Sequence, residues 1–422
     1  MTESVWSSSD EKPFHCIHEE LVKKNDDPSG LRGFIQNPYL FGIALFSSLG
    51  GLLFGPPVRY QSELSSPGMR GSMVSLYQLS ITIGVAVSFW IDYGTSSLGG
   101  ETSWRLPLYL QMIFGLILLI GVFFLPFSPR WLMKVGREYE ALEVLARLRR
   151  RTNDDPKVVA EWKEIKVAVE FDHQQPQGGL FSQGMWRRVL IGVTLLFFQQ
   201  LTGVNAIIYY APSIVSSVGL TGNSSKLLAT GVIGVIMVCC CIPTVLFLDR
   251  IGRRTLLLIG SAGMWLCMTA LGALVTAFQS NWAHHSFEGW VAVSMIYLFM
   301  GIFAFSWGPC VWVISSELFP LRVRAKAMGL TSSSHWMNNF IVGLITPPLL
   351  ALSAPATYFM FSGFCFLSFG FVWFLVPETR GYSLEDMDGL FGGQAAVEDA
   401  SIMKKIRQDV DELSMNFKTP VV

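Results

Sequence analysis

The sequence predicts an all-α membrane protein, a helical bundle of about nine spans in two groups with cytosolic helices between them. Three observations carry that prediction. Of its 422 residues, 51% are hydrophobic and only 15% are charged. Nine apolar stretches approach the roughly 20 residues that a helix needs to cross a bilayer; they lie at 39–55, 72–91, 106–127, 189–215, 227–248, 255–278, 290–314, 328–350 and 357–376. The loops joining the last six alternate between basic and nearly uncharged, the pattern that separates cytosolic from outer loops.

Residues 1–38 form a polar, cytosolic-type tail with Lys12, Lys23, Lys24 and Arg32 and no cleavable signal peptide. The first stretch is short and rich in glycine (Gly42, Gly50, Gly51, Gly55), and Pro56-Pro57 ends it abruptly. With the next two stretches it makes a reduced amino-terminal bundle, residues 39–127. Residues 128–188 carry a dense set of basic side chains, Arg147, Arg149, Arg150 and Arg151 among them, which places the segment in the cytosol. Within it 137–150 and 157–171 read as amphipathic helices lying under the bundle, Leu142, Val144, Leu145 and Leu148 supplying an apolar side. Residues 189–376 form a six-helix carboxyl-terminal bundle, followed by a cytosolic tail at 377–422. Arg250, Arg253 and Arg254 share the inner side with Arg322, Arg324, Lys326 and Arg380, whereas the opposite loops hold only Lys226. The Asn223-Ser-Ser acceptor for glycosylation falls on the outer side, in agreement.

Composition also excludes. Thirty-one basic and 31 acidic residues cancel, which gives no electrostatic reason for a nucleic acid partner. Six of the seven cysteines sit in apolar stretches (Cys239, Cys240, Cys241, Cys267, Cys310, Cys365) without a CxxC pair, so they read as small apolar residues. There is no Ser/His/Asp, metal or nucleotide constellation, so no enzyme, cofactor or metal is expected. Among the apolar stretches only His335 is ionisable near neutral pH.

The stretch 199–210, QQLTGVNAIIYY, sets Gln199, Gln200, Thr202 and Asn205 in the middle of an uncharged span. Polar side chains at that depth face a bundle interior or a watered cavity. On a regular helix Asn205 would lie about 140° from Gln200 and about 120° from Gln199, too far round to share a ligand. A helix loosened at Gly203 would swing it back, as broken helices do around mid-membrane sites. Interhelical hydrogen bonding and solute contact both remain open readings of these amides. A weak internal repeat points to two related halves: Glu63 and Arg70 share a spacing of seven with Glu317 and Arg324, each pair just before a span.

These motifs resemble the sugar porter family of the major facilitator superfamily. The likeness is carried by QQLTGVNAIIYY, by Asp249-Arg250-Ile-Gly252-Arg253-Arg254, by PETRGYSLEDMD at 377–388, by PRWL at 129–132 and by YQSELSSPGMRG at 60–71. It spans 60–388, and the phrasing of the loops is closest to fungal members that carry hexoses, pentoses or quinate. The resemblance implies a major facilitator-type bundle, of about nine spans instead of twelve, in the plasma membrane, taking a small-molecule sugar or polyol. It implies sugar contacts at Gln78, Gln199, Gln200, Asn205, Phe303, Trp312, Trp336 and Asn339, the tenth-helix residues lying beside a Gly308-Pro309 break. It further implies a gate at Tyr209 and Tyr210, and a cytosolic charge network of Glu63, Arg70, Asp249, Arg253, Arg254, Glu317 and Arg324. Amides both donate and accept, so they replace water around hydroxyls, while aromatic faces cover the apolar side of a sugar ring.

The departures matter as much. GGLLFG at 50–55 passes directly into PPVRYQSEL, so family helices two, three and most of four are expected to be absent, with the charged groups that proton-coupled relatives use. Phe127 replaces a glutamate, and His335 replaces the asparagine common at its place; as a lone histidine it reads first as a packing residue. Loss of three spans changes parity, so 39–55 either spans inverted or lies re-entrant at the interface. Phe359, Phe361, Phe364 and Phe366 read as lipid-facing bulk. Transport by alternating access, facilitative because no carboxylate lies within a span, is the function expected; a transport-incompetent truncated isoform or sugar-binding remnant is the alternative.

Overall fold

Long apolar runs form helices even where they carry an internal proline, as at Pro107, Pro243, Pro347 and Pro348, and packing of their small and aromatic side chains then sets the bundle. The computed structural model describes residues 70–174, 185–217, 223–279, 282–319 and 321–379, with positions 402, 405, 406 and 408 of the tail. The stretch 39–55, the junction at 55–60, the amino-terminal tail, Glu63 and most of the carboxyl-terminal tail lie outside the described residues, as do the side chains of Arg70, Asp249 and Arg324. Among the described residues there is no strand. Thirteen α-helices follow in order: α1 Arg70–Thr95, α2 Thr102–Val122, α3 Pro129–Lys134, α4 Glu138–Arg149, α5 Pro156–Gln174, α6 Met185–Leu201, α7 Val204–Ser217, α8 Asn223–Ile251, α9 Arg253–Phe278, α10 Ser286–Phe305, α11 Trp307–Leu318, α12 Leu321–Leu352 and α13 Ala354–Leu375.

Every apolar stretch from 72–91 onward lies on these helices, with three differences. The stretch 106–127 stays helical only to Val122; Pro126 disfavours helix at the residue before it and cannot donate within one. The stretch 189–215 is two helices, α6 and α7, parted at Thr202 and Gly203. The stretch 290–314 is also two, α10 and α11, joined at Ser306 with φ −122° and ψ −81°. That break precedes Gly308-Pro309, which instead occupy the first turn of α11. Proline is at home in a first turn, where its missing N–H has no helical acceptor.

Between the groups, α3, α4 and α5 pack on one another. Leu145 and Leu148 are buried, as the amphipathic reading expects, and Leu142 and Val144 partly so. Arg149 grips both oxygens of Glu161 at 2.8 and 2.6 Å, and Lys166 reaches Glu138 at 2.7 Å. The main core belongs to α6–α13, where short hydroxyl bonds tie neighbouring helices as they do in apolar surroundings. Thr244 Oγ1 donates to the Phe305 carbonyl at 2.8 Å, and Thr269 and Ser362 hydroxyls meet at 2.7 Å.

The first group contributes unequally. Helix α1 lies along α8 so closely that a Cβ on Gly234 would stand 2.5 Å from Ala86 Cα. Helix α2 has no buried residue and touches mainly α1 and the short turn before it. Gly234→Val should therefore force α1 from α8, a backbone clash of the overpacking kind that costs about 1–3 kcal/mol. The apparent Tm of the detergent-purified protein should fall; an unchanged Tm would show that the helices separate without loss.

Candidate functional site

The break between α6 and α7 builds the site. Gly203 takes φ +91°, a left-handed conformation that L side chains rarely adopt. Phe361 of α13 lies against it, 2.8 Å from where a Cβ would stand. Phe361 is thus buried packing behind the break, which corrects its reading as lipid-facing; Phe359 and Phe366 are exposed as expected. The turn brings Asn205 back toward the glutamines, so its Nδ2 donates to Gln200 Oε1. Without the break the two side chains would lie on different faces.

Gln200, only 1% exposed, is the centre of one cluster. Its Nε2 stands 3.0 Å from Nδ1 and 3.1 Å from Nε2 of His335 on α12. The imidazole in turn lies edge to face against Trp312 of α11 and Trp336 of α12, centroids 5.0 and 5.3 Å away. His335 is therefore no idle packing residue but a polar partner in the middle of the amides. A second cluster gathers at the start of α11. Gln199 Nε2 donates to the carbonyls of Trp307 at 3.0 Å and Gly308 at 3.4 Å, while its buried Oε1 has no partner among the described residues. Gln78 of α1 lays its amide against Gly308, where the Phe303 ring also packs. A third set of contacts joins α7 to α12: Tyr209 Oη donates to Asn339 Oδ1 at 3.0 Å, and Tyr210 Oη to the Gly343 carbonyl at 2.8 Å. Tyr210 itself sits at a second kink of α7.

The ten residues expected at the site and gate lie on α1, α6, α7, α10, α11 and α12, in three separate sets of contacts. Gln78, Gln199, Gln200, Asn205, Phe303 and Asn339 are buried, whereas Tyr209 and Trp336 are exposed.

At the basic ends of the helices, Arg253 Nη2 pairs with Glu317 Oε1 at 3.1 Å, and Thr379 Oγ1 donates to the other carboxylate oxygen at 2.6 Å. Arg254 uses its guanidinium on the Trp373 carbonyl at 2.7 Å. Sequence reasoning missed Glu378, whose two oxygens accept from the backbone N–H groups of Arg253 and Arg254 at 3.0 and 3.1 Å, capping α9. The signal was present in the PETR motif, but nothing local assigns its acid to a helix more than 100 residues earlier.

Amides collected at two helix breaks within an apolar bundle define the class, a membrane transporter of the major facilitator fold. The chain belongs to the Sugar (and other) transporter family, whose sequence model matches residues 49–391. It is 37% identical over 395 residues to a probable quinate permease of Aspergillus niger, covering 88% of this chain and 72% of the permease. It is 34% identical over 358 residues to the MFS glucose transporter mfs1 of Aspergillus flavus, covering 79% and 67%. A solved structure of the proton:xylose symporter XylE bound to 6-bromo-6-deoxy-D-glucose superposes with a TM-score of 0.66 at 29% identity, over 79% of this chain and 70% of that one. The protein is accordingly a multi-pass membrane protein and not an enzyme.

Gly203→Ala should lower the apparent Tm, since a left-handed non-glycine residue costs about 1–3 kcal/mol. Adding Phe361→Leu, which makes room for the new methyl, should return part of that loss as a coupling between the two positions. Strict additivity would show that Phe361 does not hold the break.

Proposed function

We propose that the protein moves a small polyhydroxylated solute across the membrane by alternating access, through about nine spans in which α1 and α2 are what remains opposite α6–α13. The observation that carries this reading is the buried carboxamide set, Gln78, Gln199, Gln200, Asn205 and Asn339, gathered at the α6–α7 and α10–α11 breaks among aromatic rings. Gln199 Oε1 in particular is an acceptor without a donor, and a buried unpaired acceptor is unfavourable unless something donates to it. A solute hydroxyl fits. Glu317, Arg253 and Glu378 serve as the inner latch of one conformation. Relatives that bear the names quinate permease and glucose transporter, and the xylose symporter structure, support a monosaccharide or cyclic polyol as the solute.

Movement of an uncharged solute is facilitative in this reading. Helix α1 continues past residue 91 through Asp92, so one carboxylate does extend that helix. It lies about 21 Å along the axis from Gln78, by 1.5 Å per residue, and is no part of the amide cluster. Uptake of labelled D-glucose, D-xylose and quinate in transporter-deficient cells is the test. Uptake that Gln200→Ala abolishes, with no proton current in reconstituted vesicles, is the expected result. No uptake despite surface expression would favour the second reading, a solute-binding but transport-incompetent protein, which the lack of any buried residue on α2 supports.

A further inference from the structure

We propose that Pro347 of α12 is a positioning residue of the gate: it leaves the Gly343 carbonyl open as the seat on which the Tyr210 hydroxyl fastens α7 to α12. That this fastening holds a gate rests on the alternating-access reading; the fastening itself rests on the contact.

A regular helix closes each carbonyl with the N–H four residues on. Gly343 would take its bond from residue 347, and that residue is a proline inside a helix that runs on to Leu352. Proline has no N–H to give, and its ring crowds the carbonyl four residues back. Inside a membrane bundle, a carbonyl freed in this way is tolerated where a neighbouring helix supplies a donor. Tyr210 is that donor, its Oη standing 2.8 Å from the Gly343 oxygen. The donor is as specially placed as the acceptor, for Tyr210 leaves helical geometry, at φ −114° and ψ 18°, two residues before Pro212 of α7. Asn339, which takes the Tyr209 hydroxyl at 3.0 Å, lies four residues before Gly343, so both tyrosines seat on one face of α12.

The two seats differ in what release leaves behind. The Asn339 carboxamide is a side chain and can turn to another donor. The Gly343 carbonyl is fixed in the backbone, and with Pro347 in place the parting of α7 from α12 strips it of its donor until water arrives. Helix α7 therefore swings away only as the space between it and α12 fills with water, which ties release to wetting of the solute path. With an N–H at position 347 the carbonyl would stay bonded either way, and the tyrosine would become a second partner that it can spare. Pro348 is the built-in comparison: by the same rule it frees the carbonyl of Leu344, to which Tyr210 does not donate.

The test is hydrogen–deuterium exchange of the full-length protein in lipid nanodiscs, without solute, read on α7 and α12 separately. Tyr210→Phe should speed exchange of the α7 amides beyond residue 210 about tenfold, the order of one buried hydrogen bond. Pro347→Ala should do the same to α7 while α12, given back a backbone bond, exchanges no faster. Combined, the two substitutions should exceed either one only slightly, whereas Pro347→Ala with Tyr209→Phe should add in full. Pro348→Ala should leave α7 unchanged. Pro347→Leu, which also restores the N–H, serves should the alanine variant not fold. An α7 unmoved by Pro347→Ala, an equal response to Pro347→Ala and Pro348→Ala, or full additivity of Pro347→Ala with Tyr210→Phe would overturn the proposal. The expected exchange pattern in a protein that takes up no labelled solute would sink transport and leave the fastening standing; uptake without the pattern would sink the fastening alone.

Discussion

The Gln200 carboxamide is the interaction on which the centre of this bundle depends. Its oxygen is taken by Asn205 and its nitrogen faces His335, so one side chain joins α6, α7 and α12. In an apolar interior each of those polar groups would otherwise stand unpaired, at a cost of about 1–3 kcal/mol apiece. The arrangement exists only because Gly203 turns the chain into the left-handed region and returns Asn205 to the face of Gln200. Phe361 fills the space behind that turn. Glycine, amide and phenyl ring therefore form one device: the glycine allows the break, the ring supports it, and the amides satisfy what it exposes.

The second break repeats the logic with a different partner. At Ser306 the chain leaves α10 and starts α11, and the first carbonyls of α11 accept a side-chain amide from α6. Each carbonyl has two lone pairs, so a further bond costs the helix nothing. Trp307, fully buried, anchors the same turn by donating through Nε1 to Ser261 at 2.9 Å and to the Leu257 carbonyl at 3.1 Å on α9. Gln199 and Gln200, adjacent in sequence, thus look toward opposite breaks. A motion that shifts α11 against α6 would disturb Gln199 first, and one that shifts α12 would disturb Gln200, which makes the pair a natural meeting point for solute binding and helix movement.

Much of this was legible in the sequence, and the residues explain where legibility stopped. The spacing in 199–210 forbids a regular helix from using both Gln200 and Asn205, and Gly203 lies between them, so the break follows from local arithmetic. The amphipathic α4 and α5 follow from period alone. His335 against Gln200, Phe361 against Gly203 and Glu378 against the start of α9 do not, since each joins residues more than 100 positions apart and no local pattern names the partner. The break at Ser306 was misplaced to Gly308-Pro309 for a related reason: glycine and proline advertise a break, yet both are equally suited to a first helical turn. The family resemblance supplied which residues gather, while the structure supplied how they bond.

Of the described helices before residue 128, α1 is the one that the α6–α13 group holds. Helix α1 is fixed by close backbone approach to α8 and sends Gln78 to Gly308, so it completes the amide set from its own side. Among the described residues helix α2 leans mainly on α1 and presents apolar side chains on most of its surface, a state that lipid tolerates but that water would not. Gln78, Gln199, Gln200, Asn205 and Asn339 are nevertheless buried within α1 and α6–α13. On the proposed function, solute recognition and solute passage rest on different parts of the molecule. Recognition needs the two breaks, α12 and one helix of the first group; passage needs something for α6–α13 to rock against. The two are separable because the amides that would hold the solute do not depend on α2.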